Sequence, residues 1–221
     1  MINLTKDNMI PYGFNKLPIL KNRINKVLNH YDSDGVGEVE YRFNDYGYRA
    51  SFDYKDLIVE DKIVCIGCSF TEGVGLDEID TWPNMLASKL GKNYLNLGIS
   101  NGSDGYVIWQ IMNVLNNVQK DNIYVLMPPP GRFFFLNDNT FDNVQSWDIE
   151  KPDVSFKKHY EYERFILKSI CEKYSIKYLE CYQFGTIFTK AKDNHHYGVD
   201  YQTIITNEFY KLWQKENTYQ L

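Results

Sequence analysis

The stretch Ile63-Val64-Cys65-Ile66-Gly67-Cys68-Ser69-Phe70-Thr71-Glu72-Gly73 joins four consecutive apolar residues to a run of mostly small ones. A short apolar run without polar alternation, closed by glycine, reads as a parallel strand buried on both faces. The small residues behind it permit a tight turn that exposes a hydroxyl and aims backbone N–H groups at one point. Ser69 is therefore a candidate nucleophile at the carboxyl end of a central strand.

Downstream, the pattern alternates between strand and helix. Thr81-Trp82-Pro83 offers a helix start with Thr81 as cap and Pro83 in the first turn; Met85, Leu86 and Leu90 share one face, and Gly91 is the stop. Tyr94-Leu95-Asn96-Leu97 supplies a second strand ending in Gly98, and Val107, Ile108, Ile111, Met112 and Leu115 place a helix over 103–118. Ile123 to Met127 is a third strand, stopped by Pro128-Pro129-Pro130-Gly131. A helix from His159 to Tyr174, a strand from Ile176 to Cys181 and a helix from Tyr201 to Lys215 complete the series. This order predicts an α/β fold, a three-layer α/β/α sandwich around a parallel, flavodoxin-like sheet.

Two regions fall outside the alternation. Residues 1–55 carry turn signals around a helix expected from Pro18 to His30, spaced by Ile19, Leu20, Ile24 and Leu28, and read as an N-terminal extension packed on a main domain of 56–221. The segment from Pro128 to about Phe156 lacks clear periodicity and reads as a functional or disordered loop holding Phe133, Phe134, Phe135, Phe141 and Trp147.

Composition narrows the partners. Of 221 residues, 43% are hydrophobic and 24% charged, which suits a folded domain. A net charge of -5 argues against nucleic acid, whose phosphates call for clustered Lys and Arg. Met1 to Pro18 lacks the pattern of a secretory signal and no stretch has membrane-spanning length, so a soluble cytoplasmic protein with no membrane partner is expected. Cys65, Cys68, Cys171 and Cys181 read as buried thiols: Cys65-x-x-Cys68 has no second close pair, so no metal is expected. Gly73-Val74-Gly75 lacks a following Gly-Lys-Ser/Thr, and no cofactor is expected.

In open parallel sheets ligands bind beyond the carboxyl ends of the strands, which brings the loops after Ile66, Leu97 and Met127 to one crevice. A serine hydroxyl needs a general base that is itself oriented by a third group. His30 and His159 lie in helix-like segments, whereas Asp193-Asn194-His195-His196-Tyr197-Gly198 forms a polar loop before the last helix, giving Asp193 with His196 as the pair and His195 as a rival.

These residues resemble a known family. Gly67-x-Ser69-Phe70-Thr71, Gly98 after the second strand and Asp193-x-x-His196 near the C-terminus resemble the first, second and fifth sequence blocks of SGNH (GDSL-like) hydrolases, in the same order and strand context. Asn44-Asp45-Tyr46-Gly47-Tyr48-Arg49 and Thr81-Trp82-Pro83 are similar to a subgroup with a short N-terminal extension, and the resemblance spans roughly residues 40 to 215. It implies an esterase in which Ser69 attacks the ester carbonyl, His196 takes its proton and Asp193 holds the imidazole. It also implies an oxyanion hole built partly from the N–H groups of Ser69 and Gly98, and its spacing selects His196 over His195.

The third block departs from the pattern. Where the family has Gly-x-Asn-Asp, with the Asn donating to the oxyanion, Met127 is followed here by Pro128-Pro129-Pro130-Gly131-Arg132. Losing one such donor costs on the order of 10²- to 10³-fold in turnover. Asn101 and Arg132 are the candidate substitutes, and Arg132, Phe133 and Thr71 are candidate substrate-binding residues. The expected substrate is a small-molecule or carbohydrate ester, with acetyl or another short acyl group removed. An acyltransferase using the same three residues, or a weakly catalytic binding module of the same fold, are the alternatives.

Overall fold

The computed structural model of the chain describes residues 26–30, 39–52, 62–115, 120–137, 140–145, 154–185 and 188–218. Its strands are β1 (Val27–His30), β2 (Val39–Arg42), β3 (Lys62–Ile66), β4 (Asn93–Asn96), β5 (Ile123–Met127), β6 (Arg132–Asn137), β7 (Thr140–Gln145) and β8 (Lys177–Glu180). Its α-helices are α1 (Ser69–Glu72), α2 (Trp82–Leu90), α3 (Asp104–Val114), α4 (Val154–Lys173) and α5 (Val199–Thr218).

Four strands form a parallel sheet in the order β4-β3-β5-β8. β3 and β5 are buried along their whole length, which accounts for the apolar runs Ile63 to Ile66 and Ile123 to Met127, whereas β8 at the edge alternates between buried and half-buried residues. Side-chain alternation then divides the core. Val64 and Ile66 of β3, with Val125 and Met127 of β5, pack against Val107 and Ile111 of α3 and Leu167 of α4. Ile63 and Cys65, with Tyr124 and Leu126, pack against Trp82 and Leu86 of α2 and Ile205 and Phe209 of α5. The result is the three-layer α/β/α arrangement expected from the sequence. Because β4 lies on one side of β3 and β5 on the other, the crevice of this topology opens beyond the carboxyl ends of β3 and β5.

Helix α2 starts and stops where its sequence demands. Pro83 occupies the first turn and Gly91 ends the helix in a left-handed conformation with φ 64°. Thr81 takes the N-cap position without capping: its hydroxyl donates to the Glu78 carbonyl at 2.8 Å, and the Trp82 N–H donates instead to Gln202 Oε1 at 2.8 Å. Ser103, by contrast, caps α3 by accepting from the Tyr106 N–H.

Three expectations are corrected. The helix read over Pro18 to His30 is not present at its described end, because Val27–His30 pair antiparallel with Val39–Arg42; residues 1–25 lie outside the described set. The segment read as an aperiodic loop contains an antiparallel hairpin in which Arg132 faces Gln145 and Asn137 faces Thr140. The side chains of Phe133, Phe134, Phe135 and Phe141 lie outside the described residues, as does Trp147. Finally, α4 begins at Val154, five positions before the expected start. All four cysteines are buried and free. No described helix is long and apolar enough to cross a membrane.

Candidate active site

Ser69 opens α1, directly after β3 and the Gly67-Cys68 turn. As the first helical residue it carries an N–H with no acceptor inside the helix. Gly67 is required by close packing, since a Cβ there would lie 2.2 Å from Thr71 Oγ1 and 2.7 Å from the Leu126 carbonyl. Ser69 is 3% exposed, and its Oγ has no hydrogen-bond partner among the described residues.

The acid and base are joined. His196 Nδ1 lies 2.5 Å from Asp193 Oδ2, while Asp193 Oδ1 accepts from the His196 N–H at 3.0 Å and the His195 N–H at 3.1 Å. Burial pushes the Asp193 carboxyl up, but the hydrogen bonds from the His196 ring and from these two N–H groups outweigh it and hold the group below the ordinary carboxylate range. An ionised carboxylate only accepts, so His196 Nδ1 is the donor in this pair and Nε2 is the ring nitrogen turned away from Asp193. The pair meets the nucleophile turn through Phe70, whose ring packs edge-on against His196 at 5.4 Å. The structure thus brings Asp193, His196 and the Ser69 turn together, and leaves the Ser69–His196 hydrogen bond unmade. His195 is exposed and contributes its backbone N–H.

The expected oxyanion donors are placed less favourably. Gly98 packs so tightly on α1 that a Cβ would lie 2.4 Å from the Glu72 nitrogen, and its N–H already donates to Asn96 Oδ1 at 3.0 Å. Asn101 is exposed in the turn after β4, with a left-handed backbone at φ 63°. Thr71 does not fit the substrate-binding role: it is 0% exposed, and its hydroxyl accepts from the Trp82 indole N–H at 3.3 Å. Arg132 stands at the start of β6, just past the carboxyl end of β5. It is 8% exposed, and Nη1 reaches the Gly102 carbonyl at 3.5 Å.

Several residues that position this site were not singled out from the sequence. Asn96 joins β4 to α1 by donating to the Thr71 carbonyl at 2.9 Å while accepting from Gly98. Gln202 of α5 donates to the Phe70 carbonyl at 3.2 Å and accepts from Trp82, tying the nucleophile turn to two helices. Arg49 donates to the carbonyls of Glu72, Gly73 and Leu76, and its guanidinium lies 4.3 Å over the Tyr41 ring, whose hydroxyl accepts from the Gly75 N–H at 2.6 Å. The loop held this way reaches the acid: Gly75 has φ 78°, and a Cβ on it would lie 2.7 Å from Asp193 Oδ1. Polar residues inside apolar strands, such as Asn96 in Tyr94-Leu95-Asn96-Leu97, are the signal that could have found one of these.

No protein-family model matches the chain, and no curated protein matches it. Solved structures similar to it, all at low identity, include proteins named as GDSL-type lipolytic proteins, acylhydrolases, lipases and esterases. One is described as a lipolytic protein of the G-D-S-L family from Desulfitobacterium hafniense, at 12% identity over 69% of this chain and 99% of that one, with a TM-score of 0.44. The psychrotrophic esterase EstA from a Pseudoalteromonas species gives 11% identity, coverage of 72% and 100%, and a TM-score of 0.44. A carbohydrate acetylesterase family member from Sinorhizobium meliloti gives 11%, 66% and 94%, with a TM-score of 0.36.

Proposed function

We infer that this chain is a serine-dependent ester hydrolase with Ser69 as nucleophile, His196 as general base and Asp193 as the group that orients it. The observation that carries this reading is the Asp193–His196 pair at 2.5 Å, packed through Phe70 against the turn that presents Ser69 at the sheet's switch point. As His196 Nε2 accepts the Ser69 proton, Oγ attacks the ester carbonyl and the carbonyl oxygen gains the negative charge. Collapse of the tetrahedral adduct expels the alcohol, which takes the proton from His196. Water, deprotonated by the same imidazole, then cleaves the acyl-enzyme and releases the acid. The Ser69–His196 contact that this sequence needs is of the kind that tightens in the substrate complex.

Acetyl or another short acyl group on a carbohydrate hydroxyl is the substrate class in this reading. Tyr182, 48% exposed with its ring 6.3 Å from that of Phe70, offers an aromatic face beside the turn for a sugar ring to cover. Purified protein is expected to release p-nitrophenol from p-nitrophenyl acetate with no added acceptor. A rate no higher than that of buffer overturns the reading and favours the second one, a weakly catalytic module, which draws on the unmade Ser69–His196 bond and the engaged Gly98 N–H.

Gly75→Ala tests the support of the acid. The added methyl would meet Asp193 Oδ1 and Cγ at 2.7 and 2.8 Å in a backbone conformation that disfavours it. Displacing a positioned group by about an ångström costs roughly 10²-fold, so kcat for p-nitrophenyl acetate should fall by that order. An unchanged kcat in the folded variant would remove Asp193 from the mechanism.

A further inference from the structure

Two polar groups beyond the strand ends are buried and unsatisfied: Ser69 Oγ and Arg132 Nε. Buried polar atoms are rarely left unpaired, and a cation without a counter-charge is the more costly kind. Arg132 has no ion-pair partner among the described residues, and its one hydrogen bond is the long contact from Nη1 to the neutral Gly102 carbonyl. Of the other buried arginines, Arg49 also has an unpaired Nε but is held firmly through its other nitrogens. Arg164 is held by the Asp104 carboxylate, and Arg49 by three carbonyls.

The position of Arg132 points the same way as its unpaired Nε. Gly102, which it touches, is pressed against the nucleophile turn, since a Cβ there would lie 3.1 Å from the Gly67 carbonyl and 3.3 Å from Cys68 Cα. The exposed Tyr182 ring packs against Phe70 of the same turn. The guanidinium therefore sits beside the backbone that precedes Ser69. Its Nε edge is the one left without an acceptor, and the side-on pair of N–H groups on that edge matches the two oxygens of a carboxylate.

We propose that Arg132 is the carboxylate receptor of the Ser69 crevice, so that the preferred ester carries a carboxylate a few atoms from the bond that is cleaved. This rests on the hydrolase reading above and adds the substrate's charge to it. The bound carboxylate supplies the counter-ion that Arg132 lacks among the described residues, and an acidic sugar ester or an aromatic acid ester would each present it.

The test compares release of the acetyl group from 4-acetoxybenzoate and from its methyl ester, each rate taken relative to that ester's own hydroxide-catalysed hydrolysis so that the difference in leaving group cancels. A charge-assisted contact should give the wild-type protein a kcat/KM ratio of roughly 10- to 100-fold in favour of the carboxylate. The ratio should collapse to about one in Arg132→Met and lie in between in Arg132→Lys. A wild-type ratio at or below one, or an equal ratio in wild type and Arg132→Met, overturns the proposal; the second result would assign Arg132 to the reaction's own oxyanion or to the fold. If neither ester is hydrolysed, the hydrolase reading fails alone, and calorimetry of 4-hydroxybenzoate with the Ser69→Ala protein decides the receptor. Binding that is lost on adding Arg132→Met supports it, and binding that is absent or indifferent to Arg132 overturns it.

Discussion

Ser69→Ala is expected to reduce p-nitrophenyl acetate turnover by roughly 10⁴- to 10⁶-fold, the loss typical when the nucleophile of an acyl-transfer triad is removed. His196→Ala should lose about as much, because an alkoxide that is not generated cannot attack, and the double variant should be no worse than either single one. That non-additivity separates a relay from two residues that merely support the fold. Asp193→Asn should cost about 10⁴-fold, since an amide can donate to Nδ1 and so favour the tautomer that leaves no lone pair on Nε2 for Ser69. On this reading the Ser69–His196 hydrogen bond, unmade in the structure, forms when substrate binds, whereas Asp193 already holds His196.

The second large effect concerns stability. Arg164 of α4 grips the Asp104 carboxylate through Nε at 2.5 Å and Nη2 at 3.0 Å, and the same Nη2 donates to the Pro128 carbonyl at 2.6 Å. These contacts join α3, α4 and the end of β5 beside the crevice. The Asp104 side chain is 1% exposed, and burial pushes its carboxyl up to about 6 against the pull of Arg164. Arg164→Met would leave that carboxylate buried without its partner, at a cost of about 3–5 kcal/mol in urea unfolding at neutral pH. A carboxyl whose folded pKa is raised binds protons more tightly in the folded state, so stability is lost as pH rises through about 6 and regained as pH falls below it. The deficit of Arg164→Met should therefore shrink in mild acid, and a deficit independent of pH would point to lost packing instead. Asp104→Asn in the same background should recover part of the loss.

Reading these elements from the sequence worked where the cause is local. β3 and β5 carry apolar runs closed by glycine or proline, and α2 carries Pro83 and Gly91 at its ends. It failed where distant pairing decides. The spacing of Ile24 and Leu28 suits a helix, but Val27–His30 find their hydrogen bonds on Val39–Arg42, and such ladders override local preference. The hairpin of β6 and β7 was hidden because Phe133-Phe134-Phe135 does not alternate; Asn137-Asp138-Asn139, of the type that turns favour, was the available signal.

The chemistry of the site divides in the same way. Asp193 and His196 are three positions apart, so their pairing can be read from one loop. Gln202 meets Phe70 and Trp82 across more than a hundred residues, and Arg49 meets its carbonyls only once the 72–76 loop has folded over it. Thr71 shows the converse error, a residue of the motif turned inward to Trp82 by the helix that presents Ser69.

Covalent labelling tests whether Ser69 is an activated nucleophile without knowledge of the substrate. Treated with a fluorophosphonate and digested, the wild-type protein should carry the phosphonyl group on Ser69, with labelling greatly slowed in His196→Ala. Labelling elsewhere, or at the same rate with and without His196, would contradict the account.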